Sequence, residues 1–200
     1  MKKKKYILGI DEAGRGCLAG PVYVAAVLFD DIYSNSLIID SKKLSPANRE
    51  LAYSIIKKDA IWYNFYFLSN PVIDNIGIAK AVYLLMNHLY NDVKQLFPDL
   101  DIVTIIDGCI DPIKQKDSCC IVKADQKITA VSAASIVAKV ERDKYMKEIS
   151  KFFPKYSFYK HKGYGTKSHI NEIMNSGLSI IHRKSFSLSS RAIKYSNSRN

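Results

Sequence analysis

The residues Tyr6-Ile-Leu-Gly-Ile-Asp-Glu-Ala-Gly-Arg-Gly16 decide the fold, because they set two adjacent acids at the end of a short apolar run. The run from residue 6 to residue 10 is typical of a buried strand. Neighbouring side chains of a regular strand point to opposite faces. For Asp11 and Glu12 to act together, the chain must therefore leave extended geometry, which the flexible Ala13-Gly14 sequence permits.

Outward from this strand, β-branched runs and helical periodicity alternate along the chain. Further strands are predicted at residues 22–29, 61–68, 102–106 and 120–123. Helices are predicted at residues 46–58, 71–97, 128–153 and 167–175. The connection between the first two strands is short, so we expect them to pair antiparallel. This order of elements predicts an α/β layer fold with a mixed five-stranded sheet flanked by helices.

Acidic residues follow three of the five predicted strands: Asp11-Glu12, Asp107 and Asp125. In open α/β sheets, strand ends deliver side chains to one shared crevice. Oxygen-only ligands favour Mg²⁺ or Mn²⁺, and two such ions can hold the attacking and leaving oxygens of phosphoryl transfer. The pattern therefore predicts a metal-dependent nuclease or phosphotransferase.

Each acid alone has a simpler interpretation. Asp125 could be a helix N-cap, Asp107-Gly108 could form a turn, and Asp11-Glu12 could be solvent-exposed charges at a strand end. Their convergence on strand ends is what favours a shared metal site.

The composition is that of one globular domain in the cytoplasm. Of the 200 residues, 48% are hydrophobic and 24% charged, and no apolar run approaches the roughly 20 residues of a membrane span. The basic N-terminus is followed by too short an apolar run for an export signal. Without CxxC spacing or suitably placed histidines, we expect buried or inert thiols at Cys17, Cys109, Cys119 and Cys120.

Basic residues are concentrated in the last third of the chain. Residues 1–138 hold 16 basic and 15 acidic side chains, whereas residues 139–200 hold 14 basic and 4 acidic ones. Such asymmetry is typical of a surface that binds nucleic acid, although a basic surface kept for solubility would look the same.

Seven blocks of sequence together form a recognisable pattern. The first block is Ile10-Asp-Glu-Ala-Gly-Arg-Gly16 with Leu18-Ala-Gly-Pro-Val22. The others are, in chain order, Asp40-Ser-Lys-Lys-Leu44, Ile106-Asp-Gly108, Lys123-Ala-Asp125, Ala133-Ala-Ser-Ile-Val-Ala-Lys-Val140, His161-Lys-Gly-Tyr-Gly-Thr166 and His182-Arg-Lys-Ser-Phe186. In sequence and in order these blocks resemble the ribonuclease HII family, the type 2 branch of ribonuclease H, and the resemblance runs from about residue 6 to residue 186.

The resemblance implies a ribonuclease H-like fold with a helical C-terminal extension over residues 1–186, followed by a basic, loosely ordered tail at 187–200. It implies a monomeric endonuclease that uses Mg²⁺ or Mn²⁺ in a two-metal site and does not act at a membrane. Its substrates would be RNA/DNA hybrids, whose RNA strand it cuts, and duplex DNA nicked 5′ of an embedded ribonucleotide. The products would carry 3′-hydroxyl and 5′-phosphate ends.

The resemblance also assigns roles to individual residues. The metal-binding and catalytic acids would be Asp11, Glu12, Asp107 and Asp125. Gly14, Arg15 and Gly16 would contact the ribose 2′-hydroxyl, largely through the backbone. Tyr164 would lie at the junction between ribonucleotide and deoxyribonucleotide. Lys42 and Lys43 are candidates for phosphate contacts.

Three segments depart from the family pattern. Cys17 stands where proline is usual, Lys123-Ala-Asp-Gln126 replaces the more frequent Lys-Gly-Asp-Ser, and Ser132-Ala-Ala-Ser135 replaces an alanine run. These departures affect loop conformation and remove none of the acids.

Some histidines and aromatic residues are better interpreted as structural than as part of the site. We expect structural or phosphate-facing roles for His161 and His182, since four carboxylates need no histidine ligand. The alternating aromatics of the third strand should be core on one sheet face and not a base-stacking platform: Tyr63, Phe65 and Phe67.

Two other functions remain open from the residues alone. One is a metal-dependent exonuclease or a Holliday-junction nuclease on the same fold. The other is a noncatalytic nucleic-acid-binding module that uses the basic last third. A requirement for a 2′-hydroxyl would separate the first from a ribonuclease H, and cleavage with a divalent ion would exclude the second.

Overall fold

The structure is a computed structural model that describes residues 4–186. The predicted tail at 187–200 lies outside the described residues. The strands are β1 (Lys5–Ala13), β2 (Val22–Asp30), β3 (Trp62–Leu68), β4 (Asp101–Asp107) and β5 (Ser118–Ile121). The helices are α1 (Pro46–Asp59), α2 (Asn70–Ile76), α3 (Ile78–Leu96), α4 (Thr129–Ile149), α5 (Phe158–His161) and α6 (Lys167–Ser176), with 3₁₀ turns at Ala124–Gln126 and Ser150–Phe152.

The five strands form one mixed sheet in the order β3-β2-β1-β4-β5. β1 pairs antiparallel with β2, as its short connection predicts, and parallel with β4. β4 in turn pairs parallel with β5. The predicted mixed five-stranded sheet is therefore confirmed, and the strand that carries Asp11-Glu12 lies at its centre.

Helices cover both faces of this sheet. α3 buries its apolar stripe against one face, and α1 and α4 pack against the other. α4 lies so close to β1 that a Cβ added at Gly9 would come within 2.2 Å of the Ala130 carbonyl carbon. Small residues at the start of α4 permit this approach, which fixes the helix over the end of β1.

The residues after α4 form a small extension that holds the loop between β1 and β2. Its apolar cluster includes Leu18 and Ala19 of that loop together with Phe158 and Ile170 of the extension. The Leu18 N–H donates to the carbonyl of Gly163 at 2.8 Å. The extension therefore fixes the segment that directly follows β1.

Several predicted elements differ in their bounds. The helix predicted over 71–97 is two helices, because Gly77 between them adopts a φ of +83°. The helix predicted to reach residue 153 ends at Ile149 and continues as a 3₁₀ turn. The last strand lies two residues earlier than predicted, and α5 was not predicted because four residues carry no periodicity.

The prediction that three β3 aromatics share the core is only partly correct. Tyr63 and Phe65 pack against the cluster under α1 and α4. Phe67 is 49% exposed and stacks on Tyr23 with ring centroids 5.1 Å apart. β3 is an edge strand of the sheet, so its far end is covered on fewer sides.

Two expectations from composition can be compared with the structure. All four cysteines are free, but only Cys17 is buried, whereas Cys109 and Cys119 are exposed. The expectation was of buried or inert thiols: Cys17 is buried, and for the exposed Cys109 and Cys119 inertness stays a prediction. Among the helices within residues 4–186, none has the length and apolarity that crossing a membrane requires.

Candidate active site

β1 and β4 deliver two acids to neighbouring positions. The strands run parallel with Ile10 paired to Ile106, so the residues that follow, Asp11 and Asp107, lie side by side. Asp11 is 5% exposed, and its Oδ1 accepts a hydrogen bond from the Glu12 N–H at 2.7 Å. The shared end of two parallel strands is thus the floor of the candidate site.

Asp125 reaches these acids from the 3₁₀ turn after β5. The Ala124 N–H donates to Asp107 Oδ1 at 2.8 Å, and the Ser132 hydroxyl donates to the Asp125 carbonyl at 2.8 Å. The N-cap of α4 is Ile128, so the interpretation of Asp125 as that helix cap is wrong. Its carboxylate instead points to the other two acids.

One carboxylate oxygen from each of Asp11, Asp107 and Asp125 lies within 4.8 Å of the other two. We call these three residues the acid triad. Burial, followed by repulsion from Glu12, raises the pKa of Asp11 well above its usual value. Burial and the charge of Asp125 likewise raise the pKa of Asp107. Oxygen donors that repel one another in a buried site suit a hard divalent cation such as Mg²⁺ or Mn²⁺. Within residues 4–186, no other trio of acidic, histidine or cysteine side chains has this spacing.

Glu12 is the one predicted acid that lies outside the acid triad. β1 continues to Ala13 and pairs Glu12 with Val24, so the expected departure from extended geometry is wrong. Burial raises the pKa of Glu12, partly offset by Arg15, whose Nη1 lies 3.4 Å from Glu12 Oε1. Glu12 nevertheless lines the same pocket of about 270 Å³ as Asp11 and Asp107.

Of the two lysines predicted to contact phosphate, only Lys42 lines this pocket. Its Nζ lies 3.2 Å from Asp125 Oδ2. Burial opposes the charge of Lys42, but the contact with Asp125 and the charges of Asp11 and Asp40 together outweigh burial and raise the pKa of Lys42. Lys43 is exposed and does not line the pocket.

The segment Gly14-Arg15-Gly16 lines the pocket and is held from behind by two buried arginines. Gly14 has a φ of +89°, and a Cβ there would lie 2.0 Å from Arg142 Nε. The Arg142 guanidinium is fully buried and donates to the carbonyls of Pro21, Ala19 and Lys162. Arg183 donates to the carbonyls of Arg15 and Gly20 at 3.0 and 2.9 Å. Position 14 therefore requires glycine both for its backbone angle and for space.

Tyr164 lines the same pocket and is 37% exposed. Lys139 Nζ and Arg142 Cζ lie 5.3 and 5.4 Å from its ring centroid, within cation–π distance. Its hydroxyl hydrogen-bonds with the Cys17 thiol, and burial raises the pKa of Tyr164 to about 12. The Cys17 N–H also donates to the Gly14 carbonyl at 3.2 Å, a bond that the proline usual at this position could not form.

Sequence reasoning missed residues that hold the acids in place. Ser135 of α4 hydrogen-bonds to the Asp11 carboxylate, and its Oγ lies 2.9 Å from Ser41 Oγ. Asp40 is buried and accepts a hydrogen bond from the Lys42 N–H at 2.9 Å. These residues lie inside sequence blocks that carried the family resemblance, and that is the signal by which they could have been found.

The histidines of the extension are bonded to protein groups and lie outside the pocket. His161 Nε2 lies 2.9 Å from Glu172 Oε2, and His169 Nε2 lies 3.1 Å from His182 Nε2. The geometry agrees with the expectation that His161 and His182 are structural.

Comparisons with known proteins agree over almost the whole chain. The family model for Ribonuclease HII matches residues 8–189. The Ribonuclease HII of Caldicellulosiruptor saccharolyticus is 42% identical over 182 residues, which cover 91% of this chain and 87% of that protein. The Ribonuclease HII of Chloroherpeton thalassium is 43% identical over 196 residues, with 94% and 93% covered.

Solved structures show the same fold. The RNase HII of Archaeoglobus fulgidus, solved as a complex with PCNA, has a TM-score of 0.71 and 27% identity, covering 91% of this chain and 95% of that one. Bst-RNase HIII in complex with Mn²⁺ has a TM-score of 0.73 at 19% identity, covering 98% and 72%, and supports the fold alone. The fold is thus ribonuclease H-like, as expected, and the sequence match from residue 8 to residue 189 shows that the chain belongs to the ribonuclease HII family.

Proposed function

We propose that this member of the ribonuclease HII family nicks duplex DNA on the 5′ side of a single embedded ribonucleotide and leaves 3′-hydroxyl and 5′-phosphate ends. Family membership supplies the coarser activity, which is metal-dependent endonucleolytic hydrolysis of RNA in RNA/DNA hybrids. The observation that carries the finer proposal is one pocket that combines Asp11 and Asp107 of the acid triad with Gly14-Arg15-Gly16 and Tyr164.

The acid triad, with Glu12 beside it, would hold the divalent ions. Bound Mg²⁺ or Mn²⁺ would activate a water nucleophile and neutralise charge on the phosphate, and two ions could share these tasks. The protein's own contribution is to fix the acids: Asp11 through Ser135, and Asp107 through the Ala124 N–H. Because Asp11 and Asp107 are held by neutral donors, their charge remains available to cations.

The acids cannot distinguish RNA from DNA, so recognition of the ribose needs other groups. A 2′-hydroxyl both donates and accepts hydrogen bonds, and backbone groups of Gly14-Arg15-Gly16 are suited to sense it. Glycine lets the chain approach the sugar closely. The Tyr164 ring, with Lys139 and Arg142 within cation–π distance, can pack on the next sugar and orient the scissile phosphate. Lys42 would bind a neighbouring phosphate.

We expect the protein to act as a monomer. The basic residues after position 138 would follow the nucleic-acid backbone, which predicts binding that weakens steeply with salt.

The decisive experiment uses duplex DNA that contains one ribonucleotide, incubated with Mg²⁺, Mn²⁺ or chelator and resolved on a sequencing gel. A cut directly 5′ of the ribonucleotide, dependent on a divalent ion and absent from all-DNA duplex, supports the proposal. Cleavage of continuous RNA/DNA hybrid without cleavage of this substrate would leave the family activity intact and refute the finer proposal.

A further inference from the structure

Three histidines of the C-terminal extension, His161, His169 and His182, form a compact group that we call the histidine cluster. The rings of His161 and His169 stack with centroids 4.1 Å apart, and those of His169 and His182 lie 5.2 Å apart. All three are buried, with His169 fully so. None of the three lines the pocket that holds Asp11 and Asp107, so none is placed to contact the reacting groups.

Backbone partners determine which nitrogen of each ring carries the proton. The Ser179 N–H donates to His182 Nδ1 at 2.8 Å, so the proton of His182 lies on Nε2. The carbonyl of Tyr164 lies 2.9 Å from His169 Nδ1, which must therefore be the donor. His169 Nε2 is then an acceptor, and it receives the His182 Nε2–H at 3.1 Å. The result is one directed chain from the Ser179 N–H, through both rings, to the Tyr164 carbonyl.

The third histidine is assigned by the same reasoning. The Gly163 N–H donates to His161 Nδ1 at 3.2 Å, so His161 Nε2–H donates to Glu172 Oε2 at 2.9 Å. His161 packs against His169 without sharing a hydrogen bond with it. It therefore supports the stack and the turn before Tyr164, while the directed chain runs through the other two rings.

The surroundings keep the directed chain neutral. Burial lowers the pKa of His169 and His182 to about 4, and the nearby His161 adds to the effect. Protonation of His169 Nε2 would leave two donors, the His169 and His182 Nε2–H groups, pointing at each other without an acceptor. The other titratable or charged groups around the cluster come from every neighbouring element: Glu172 on α6, Lys162 after α5, Tyr156 before α5, Arg183 after His182 and Arg142 on α4, which donates to the Lys162 carbonyl.

We propose that His169 and His182 are positioning residues, which form with Ser179 a neutral hydrogen-bonded chain that fixes the Tyr164 carbonyl and so the place of the Tyr164 ring in the pocket. The Tyr164 carbonyl also accepts the Thr166 N–H at 2.8 Å, and the Tyr164 N–H donates to the His161 carbonyl at 2.9 Å. The backbone on both sides of Tyr164 is thus held by groups that belong to the extension or to its turns. The consequence for substrate selection rests on the proposed role of Tyr164.

The first test measures junction selectivity, defined as kcat/KM on duplex DNA with one ribonucleotide divided by kcat/KM on continuous RNA/DNA hybrid. His169→Leu removes the donor to Tyr164, and we expect selectivity to fall about 10-fold, the low end for losing a group behind a functional residue. His169→Asn keeps a donor close to the Nδ1 position, so we expect selectivity near that of the wild type.

Phe158→Leu is the matched control, since Phe158 is fully buried with its ring 5.5 Å from that of His169 and donates nothing to Tyr164. It should lower the melting temperature without changing selectivity. Combining His169→Leu with Tyr164→Ala should lower selectivity no further than Tyr164→Ala alone. If Tyr164→Ala lowers selectivity, then wild-type selectivity in His169→Leu, or an equal loss in Phe158→Leu, would overturn the proposal.

The second test does not depend on what Tyr164 does with substrate. Long-range ¹H–¹⁵N spectra of histidine-labelled protein at pH 7 should show neutral rings, with the proton on Nδ1 of His169 and on Nε2 of His182. The Tyr164 carbonyl ¹³C shift should change in His169→Leu more than in Phe158→Leu. A cationic His169, or its Nε2–H tautomer, refutes the chain even if Tyr164 reads the junction. If the spectra agree but Tyr164→Ala leaves selectivity unchanged, the positioning stands and the proposed role of Tyr164 fails.

Discussion

The acid triad and the histidine cluster are both groups of three titratable side chains, all buried except the half-buried Asp107, yet their electrostatics are opposite. In the acid triad, burial and like charges raise the pKa values of Asp11 and Asp107. In the histidine cluster, burial lowers the pKa values, and each ring nitrogen has a partner that suits one neutral tautomer. The triad would be relieved by a cation, whereas the histidine cluster would be disrupted by a proton.

This difference distinguishes a group that binds a ligand from a group that holds other residues in position. A buried group whose charges repel one another is costly to the fold, and such a cost persists where a ligand offsets it. A buried group with complete hydrogen bonding specifies one local conformation and needs no ligand. Tyr164 lies between the two, since its ring lines the acid pocket while its carbonyl accepts from His169.

The largest expected effect comes from removing one acid. Asp107→Asn keeps an oxygen for the Ala124 N–H but removes a charge that faces Asp125, so cleavage should be lost by more than the roughly 100-fold typical of residues behind a metal ligand. Folding should be preserved, because repulsion is relieved. Asp101→Asn, at the opposite end of β4, is the matched control. Rates with Mg²⁺ on an RNA/DNA hybrid, with circular dichroism for folding, test this; wild-type cleavage by Asp107→Asn would remove Asp107 from the site.

Metal binding should stabilise the wild-type protein through the same acids. Saturation at 100 times the dissociation constant adds about 2.7 kcal/mol to the free energy of unfolding. For a domain of this size, that corresponds to a rise in melting temperature of roughly 5–10 °C. Thermal unfolding in Mn²⁺ or Mg²⁺ against chelator, at constant ionic strength, should show this rise in the wild type and little of it in Asp107→Asn. An equal rise in both would place the metal elsewhere.

The sequence was sufficient for the sheet and for most of the acids because their signals are local. Apolar runs located every strand, and the parallel pairing of Ile10 with Ile106 then places Asp11 beside Asp107. The pairing register cannot be read from periodicity, so the sequence did not show that β1 remains regular through Glu12. For the same reason, the separation of Glu12 from the acid triad could not be predicted.

Contacts between segments that are distant in the sequence could not be predicted either. Ser135 and Ser41, whose hydroxyls are hydrogen-bonded, are 94 residues apart in the sequence. Arg183 donates a hydrogen bond to the carbonyl of Arg15, which is 168 residues away. Sequence patterns give the type of a residue but not the carbonyl it meets across the fold. The histidine cluster was overlooked because histidine at 161, 169 and 182 follows no ligand spacing, and its order depends on tertiary contacts.

Replacing Tyr164 tests whether the residue between the two groups belongs to recognition or to chemistry. Tyr164→Ala should lower cleavage at a single embedded ribonucleotide by about 10- to 100-fold, as loss of positioning can, and leave metal stabilisation nearly intact. Cleavage within long hybrids should fall less, because more ribose contacts are available there. Tyr159→Ala is the control, since Tyr159 is exposed on α5 and does not line the pocket. An equal loss on both substrates would assign Tyr164 to the general structure of the active site.

The smallest effect concerns the pH dependence of stability in the histidine cluster. The folded pKa of His169, about 4, lies below the usual value of 6.5. As pH falls from 6.5 towards 4, His169 therefore binds a proton in the unfolded chain but not in the folded chain, and the free energy of unfolding decreases. His169→Leu should reduce this slope by about 1.4 kcal/mol per pH unit. Urea unfolding in chelator between pH 4.5 and 6.5 measures the slope. His182, whose pKa is also about 4, contributes in the wild type and in the variant, so the difference between their slopes reports the proton of His169. Glu172, with a pKa of about 2, loses its contribution only below that range. His88→Leu, on α3 away from the cluster, is the control, and an unchanged slope in His169→Leu would mean that His169 is charged in the folded protein.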